Sequence, residues 1–200
     1  MSLVDVFVTP GGALVGVDTH ARTLDGELIE VAKIVCLPHI STVFAFRGLS
    51  DVFFLANYFF LSHRSGFDEL AEGMGDIIRK TMESHKTNAG NHADENANFI
   101  VVGYSNKYGR MAGHAFEQAA GSSEIMEKRD FPQLLAPAWG NPDDFRRLNV
   151  RANRAGMIAV AKEQCRLVKE RGPAEATAGG RLIIAEVKKG SILMEQACRL

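Results

Sequence analysis

Two hundred residues, 46% hydrophobic and 24% charged with a formal net charge of −1, describe an ordinary folded chain long enough for a sizeable core, which excludes the disordered and fibrous classes. No lysine or arginine stripe supplies the electrostatic footprint of a nucleic-acid binder. The three cysteines, Cys36, Cys165 and Cys198, are widely spaced with no CxxC pair, so they speak against a disulfide framework or zinc knuckle and read as inert thiols in a reducing compartment.

The first fifty residues read as β-structure. "VDVFVT", "ALVGVD", "KIVCL" and "TVFAFRG" are short, rich in Val, Ile and Phe, and separated by Pro-Gly-Gly, Asp-Gly and Pro-His punctuation, with "TPGGA" as the first hairpin turn. From Ser50, "SDVFFLANYFFLSH" is apolar nearly all round, the pattern of a helix covered on several sides. It is too short to span a bilayer, and the N-terminus has neither a basic n-region nor a secretory cleavage site, so the expectation is a cytoplasmic protein without a membrane partner.

A second helix is expected with Ser65 as N-cap and Asp68 completing a capping box, its apolar face formed by Phe67, Leu70, Ala71, Met74, Ile77 and Ile78. Residues 83–98 have no apolar periodicity and read as an exposed loop. "NFIVVGYS", a turn at "NKYG" and "RMAGHAFE" form a second hairpin, and "PQLLAPAWG" a further strand. A long helix is predicted from about Val150 to Arg171, and the chain closes with the hairpin "RLIIAEV", "KKGS", "ILMEQA". Hairpin-joined strands make antiparallel sheets, and the helices must lie outside them. The expected fold is α+β, a four-layer αββα sandwich of two mainly antiparallel sheets, with residues 1–200 as a single domain.

Two residues break this pattern. Asp18 ends the strand "ALVGV", and Lys33 interrupts "EVAKIVCL". On neighbouring strands they are either a turn cap and a lysine reaching to solvent, or buried partners that are costly unless they face each other. Other candidates carry less. His92, Asp94 and Glu95, with His85, have metal-ligand chemistry but sit in a polar stretch that reads as solvated loop. His114 has no evident nucleophile partner and reads as a hydrogen-bonded structural residue, and Cys36 falls on the opposite strand face from Lys33. The glycines of "GMG" and "AGG" lack the spacing of a phosphate loop, so no cofactor is expected.

The element order, together with "GALVGVDTHART", "EVAKIVCL" and "AGGRLIIAEVKKGSI", resembles the proteasome β-subunit and its bacterial relatives in the N-terminal nucleophile (Ntn) hydrolase superfamily. The resemblance implies a nucleophile at the first residue of the mature chain, with the free α-amino group as its base. Counting back from Asp18 along the hairpin, that position is Ser2, exposed once Met1 is removed. Lys33 would tune the nucleophile and Asp18 would hold Lys33, giving Ser2, Asp18 and Lys33 as the catalytic set for a peptide or amide substrate. The sequence departs from the family pattern at "PAWGNPDDF", where Trp139 and Gly140 replace a Gly-Ser pair, at Glu175 and Ala178, where an Asp and a Ser are usual, and at His20, where arginine is common. The alternative implied is a noncatalytic assembly or interaction protein on the same scaffold. Members of the family form rings or dimers, so a homo-oligomer is expected.

Overall fold

A computed structural model describes residues 3–23, 25–62, 65–89, 96–136, 150–171 and 178–200. Its first hairpin pairs β1 (Val4–Thr9) with β2 (Gly12–Asp18), and the turn is closed by the Thr9 hydroxyl donating to the Gly12 carbonyl at 2.8 Å. Two later strands, β11 (Arg181–Lys188) and β12 (Ser191–Arg199), extend it on one side, and β10 (Gln133–Ala136) on the other. The resulting sheet I has the order β10-β1-β2-β11-β12, antiparallel throughout. Sheet II has the order β5 (Ile34–Leu37), β6 (Thr42–Arg47), β7 (Ala97–Ser105), β8 (Arg110–Gln118), β9 (Ile125–Arg129), again antiparallel. A small hairpin of β3 (His20–Arg22) and β4 (Leu28–Glu30) links the sheets in sequence.

Strand alternation sorts the side chains into three cores. Val4, Val6, Val15 and Val17 from sheet I meet Val43, Ala45, Ile100 and Val102 from sheet II between the sheets. The alternate residues of sheet II, Phe44, Phe46, Phe99 and Phe116, face outward under α1 (Ser50–Leu61) and α2 (Phe67–Ala89), where Phe44 stacks on Phe60 with ring centroids 4.0 Å apart. On the far side, Leu3, Phe7, Leu182 and Ile184 pack under α3 (Arg154–Arg171) through Met157, Val160, Ala161, Cys165 and Val168. Gly16 permits this approach, since a Cβ there would lie 2.7 Å from the Met157 sulfur. The order helix, sheet, sheet, helix is the expected αββα sandwich. Among the described residues no helix is long and apolar enough to cross a membrane.

Several expectations are corrected. The α2 helix continues to Ala89, through the first half of the stretch read as loop, because the buried stripe of Ile78 and Met82 runs on into a histidine, His85, rather than an apolar residue. Its N-terminus is not a capping box: the first turn closes from Leu70 N to Gly66 O at 3.1 Å. The Asp68 carboxylate instead accepts from the Ser105 hydroxyl at 2.6 Å and the Lys107 amide at 3.1 Å, pinning the β7–β8 turn. The α3 helix starts at Arg154 because Asn153 caps it, its side chain accepting from Gly156 N at 2.9 Å. Finally, α1 is covered on one face only: Val52, Phe53, Ala56 and Phe60 are buried, while Phe54, Tyr58 and Leu61 are 51%, 76% and 58% exposed.

Candidate active site

The end of β2 carries Asp18 into a position with no solvent access, and the residues just before β5 bring Lys33 to it, equally buried. Lys33 Nζ donates to Asp18 Oδ1 at 3.1 Å and also to the His20 carbonyl. The buried-partner reading of the two residues therefore holds, and the solvent-facing reading does not. The carboxylate has two further donors, both from the backbone: Leu3 N to Oδ1 at 2.9 Å and Gly179 N to Oδ2 at 3.0 Å. A buried ion pair is tolerable when each oxygen is satisfied in this way.

Three segments distant in sequence thus converge on one carboxylate. The first is the start of β1, where Leu3 is held twice, its carbonyl also accepting from Asp18 N at 3.4 Å. The second is the stretch from Asp18 to Lys33, tied together by Val31 N donating to the Thr19 carbonyl at 2.7 Å. The third is the run into β11. There Gly179 and Gly180 have φ of +149° and +79°, and the Thr19 hydroxyl accepts from Arg181 N at 2.9 Å. The His20 ring lies against both glycines: a Cβ on Gly180 would fall 2.7 Å from its Cδ2 and 2.5 Å from Thr19 Oγ1. Only glycine fits that backbone at so close an approach.

Electrostatically, burial pushes the Asp18 carboxyl up and the Lys33 ammonium down from their ordinary values. Each charge counters the shift in its partner, and the Leu3 and Gly179 amides help hold Asp18 ionised. The guanidinium of Arg47, within electrostatic reach of both, pushes Lys33 down further. A lysine balanced in this way and fixed by a carboxylate can, as the ammonium, lower the pKa of an adjacent hydroxyl or, on losing a proton, exchange it with that group.

Ser2, the third predicted site residue, lies outside the described residues, as do Trp139, Gly140, Glu175 and the trio His92, Asp94 and Glu95. The fourth residue of that metal reading, His85, is buried in α2, and among the described residues no three His, Cys, Asp or Glu side chains converge as a metal site. His114 is the hydrogen-bonded structural residue expected, its Nδ1 3.1 Å from Glu127 Oε1. The partners that sequence reading missed are all main-chain groups: the Leu3 and Gly179 amides that donate to Asp18, and the His20 carbonyl that accepts from Lys33. Of these only Gly179 leaves a trace in the sequence, as the first glycine of "AGGRL".

Comparison with solved structures places this geometry in context. The chain is similar to Anbu, the ancestral β-subunit, from Yersinia bercovieri, with a TM-score of 0.68 at 10% identity over 99% of this chain and 88% of that one. It is similar to the Anbu complex of Pseudomonas aeruginosa, solved as a helical assembly, with a TM-score of 0.67 at 12% identity over 99% and 86%. Anbu from Hyphomicrobium sp. strain MC1 gives 0.65 at 11% over 98% and 87%. The fold is proteasome-like. No protein-family model matches the sequence, and no curated protein matches it. At these identities the likeness concerns the fold, and the chemistry must be argued from the residues themselves.

Proposed function

We propose that this protein is an amide or peptide hydrolase of the N-terminal nucleophile type. The observation that carries the reading is the buried Asp18–Lys33 pair fastened to the amide of Leu3, the residue immediately after Ser2. With Met1 removed, Ser2 would supply both the nucleophilic hydroxyl and, through its free α-amino group, the base. The hydroxyl oxygen attacks the substrate carbonyl while its proton passes to the amine. Collapse of the tetrahedral intermediate breaks the C–N bond, the proton leaves with the departing amine, and water then hydrolyses the acyl-serine ester. Lys33 stabilises the alkoxide as it forms, and Asp18 fixes Lys33 in place.

The test is the N-terminal residue of the mature protein from its own cell, by intact mass and terminal sequencing, followed by turnover of a fluorogenic peptide library. A chain beginning with Ser2 whose turnover disappears in Lys33→Ala with the fold intact supports the hydrolase. A chain beginning with Met1 overturns it in favour of a noncatalytic assembly protein, and Lys33→Ala as active as wild type overturns the mechanism assigned to Lys33.

We also infer a homo-oligomer. The exposed aromatic face of α1 supports it, as does the helical assembly of the similar Pseudomonas aeruginosa complex.

A further inference from the structure

The outer strand of sheet II, β5, and the outer strand of sheet I, β12, are joined by a pair of sulfurs. Cys36 lies opposite Val43 in the β5–β6 pair and Met194 opposite Ala185 in the β11–β12 pair, and both of those partners belong to the core between the sheets. Directly opposed residues share a face, so each sulfur is carried on the inward side of its own edge strand. There the Cys36 thiol donates to Met194 Sδ at 3.9 Å, across 158 residues of sequence.

As a hydrogen bond this contact contributes little, since a thiol is a weak donor and a thioether a weak acceptor. As a pair of metal ligands it is specific. Thiolate and thioether are both soft donors, the combination that selects Cu(I), whereas zinc takes Cys, His and carboxylate ligands and a thioether is not among them. A metal–thiolate bond is about 2.3 Å long, so one ion bonded to both sulfurs needs them about 3.8 Å apart at a tetrahedral angle, about 4.0 Å at a trigonal one and about 4.6 Å on a line. The separation of 3.9 Å meets the first two without moving either strand. The site also has an entry path: Cys36 is half-buried and Met194 is 49% exposed, so solvent or a small thiol can reach the remaining coordination position.

We propose that Cys36 and Met194 form a binding site for Cu(I) that ties the edges of the two sheets together. The ion displaces the Cys36 S–H proton to solvent and bonds to the thiolate and to the Met194 thioether, with no change in oxidation state. The site uses none of the groups assigned to hydrolysis and stands apart from that reading.

The probe is Cu(I) itself, added without oxygen as its acetonitrile complex to the intact, reduced protein, with iodoacetamide alkylation then read cysteine by cysteine by peptide mass spectrometry. An equimolar amount of Cu(I) should slow alkylation of Cys36 by at least about tenfold and leave that of Cys198 unchanged. Met194→Leu is a swap of similar volume at a half-exposed position. In that variant Cys36 should alkylate as in the wild type when no metal is present, and should need at least about tenfold more Cu(I) for the same protection. Equal protection of Cys36 and Cys198 would mean an adventitious ion only and would overturn the proposal. So would the absence of any protection, which needs no variant, or protection unchanged in Met194→Leu.

Discussion

Gly179 donates its backbone amide to Asp18 Oδ2 at 3.0 Å across 161 residues of sequence. That one bond makes the turn before β11 part of the candidate site. Because Gly180 holds φ at +79° with Thr19 Oγ1 2.5 Å from where a Cβ would stand, Gly180→Ala must push the turn away from Asp18. The expected cost is about 1–2 kcal/mol in urea denaturation. Turnover should fall by at least about tenfold, beyond anything the small stability loss explains. A variant destabilised by that amount with undiminished kcat would show that the turn does not position the carboxylate.

The Asp18–Lys33 pair is expected to behave as a unit. Asp18→Ala strands a buried ammonium and removes the acceptor of two backbone amides, and Lys33→Met strands a carboxylate. Each single change should cost about 3–5 kcal/mol, with the Asp18→Ala/Lys33→Met double variant costing well under the sum. Urea denaturation of the four proteins of the cycle reads the coupling; strict additivity would mean the two charges do not depend on each other.

Alkaline stability should report on Cys165. Burial on the inward face of α3 pushes its thiol from 9.0 up to about 12, with Asp18 and Asp5 acting in the same direction. The folded state keeps the proton that the unfolded chain loses, so this contribution is complete below about pH 9 and is lost as pH rises towards 12. In that window the wild type should lose stability faster than Cys165→Ala, by about 1.4 kcal/mol per pH unit. Denaturation curves at pH 8, 9 and 10 on the two proteins decide it. In the same protein at pH 8, iodoacetamide should modify Cys36 and Cys198, both partly exposed, ahead of Cys165.

Association is expected to run through α1. Replacing Phe54 and Tyr58 with glutamate removes the exposed aromatic face and leaves every buried residue of that helix in place, at the loss of the Phe53–Phe54 ring contact. Light scattering should then show a smaller species than the wild type, with far-UV circular dichroism unchanged. A wild-type mass equal to one chain at all concentrations would refute the association itself.

Much of this architecture is legible in the sequence because short runs rich in Val, Ile and Phe, bounded by turn residues, mark strands that are buried on both faces, as in β1, β2, β6 and β7. Asp18 and Lys33 stood out by the same logic, as charges inside apolar runs. What escaped reading had no such contrast. The strand β9, Ile125–Arg129, is a charged sheet edge with one exposed flank, and β3 and β4 are three residues each. The end of α2 was hidden because His85 and Thr81 occupy its buried stripe. The Leu3, His20 and Gly179 contacts use main-chain atoms, which every residue type possesses, so no side-chain pattern could announce them.

The pairing of β2 with β11 also sets an order in time. The strands β1 and β2 form a local hairpin, but β11, the neighbour of β2 in their sheet, is made long after them, and Gly179 arrives just ahead of it. Local pairs such as β7 with β8 can close early, whereas this contact must wait for the 161 residues that separate Asp18 from Gly179. Asp18 and Lys33 can therefore meet in their final setting only after Gly179 has been made, so a chain truncated before Gly179 would lack its amide and leave one edge of the carboxylate open.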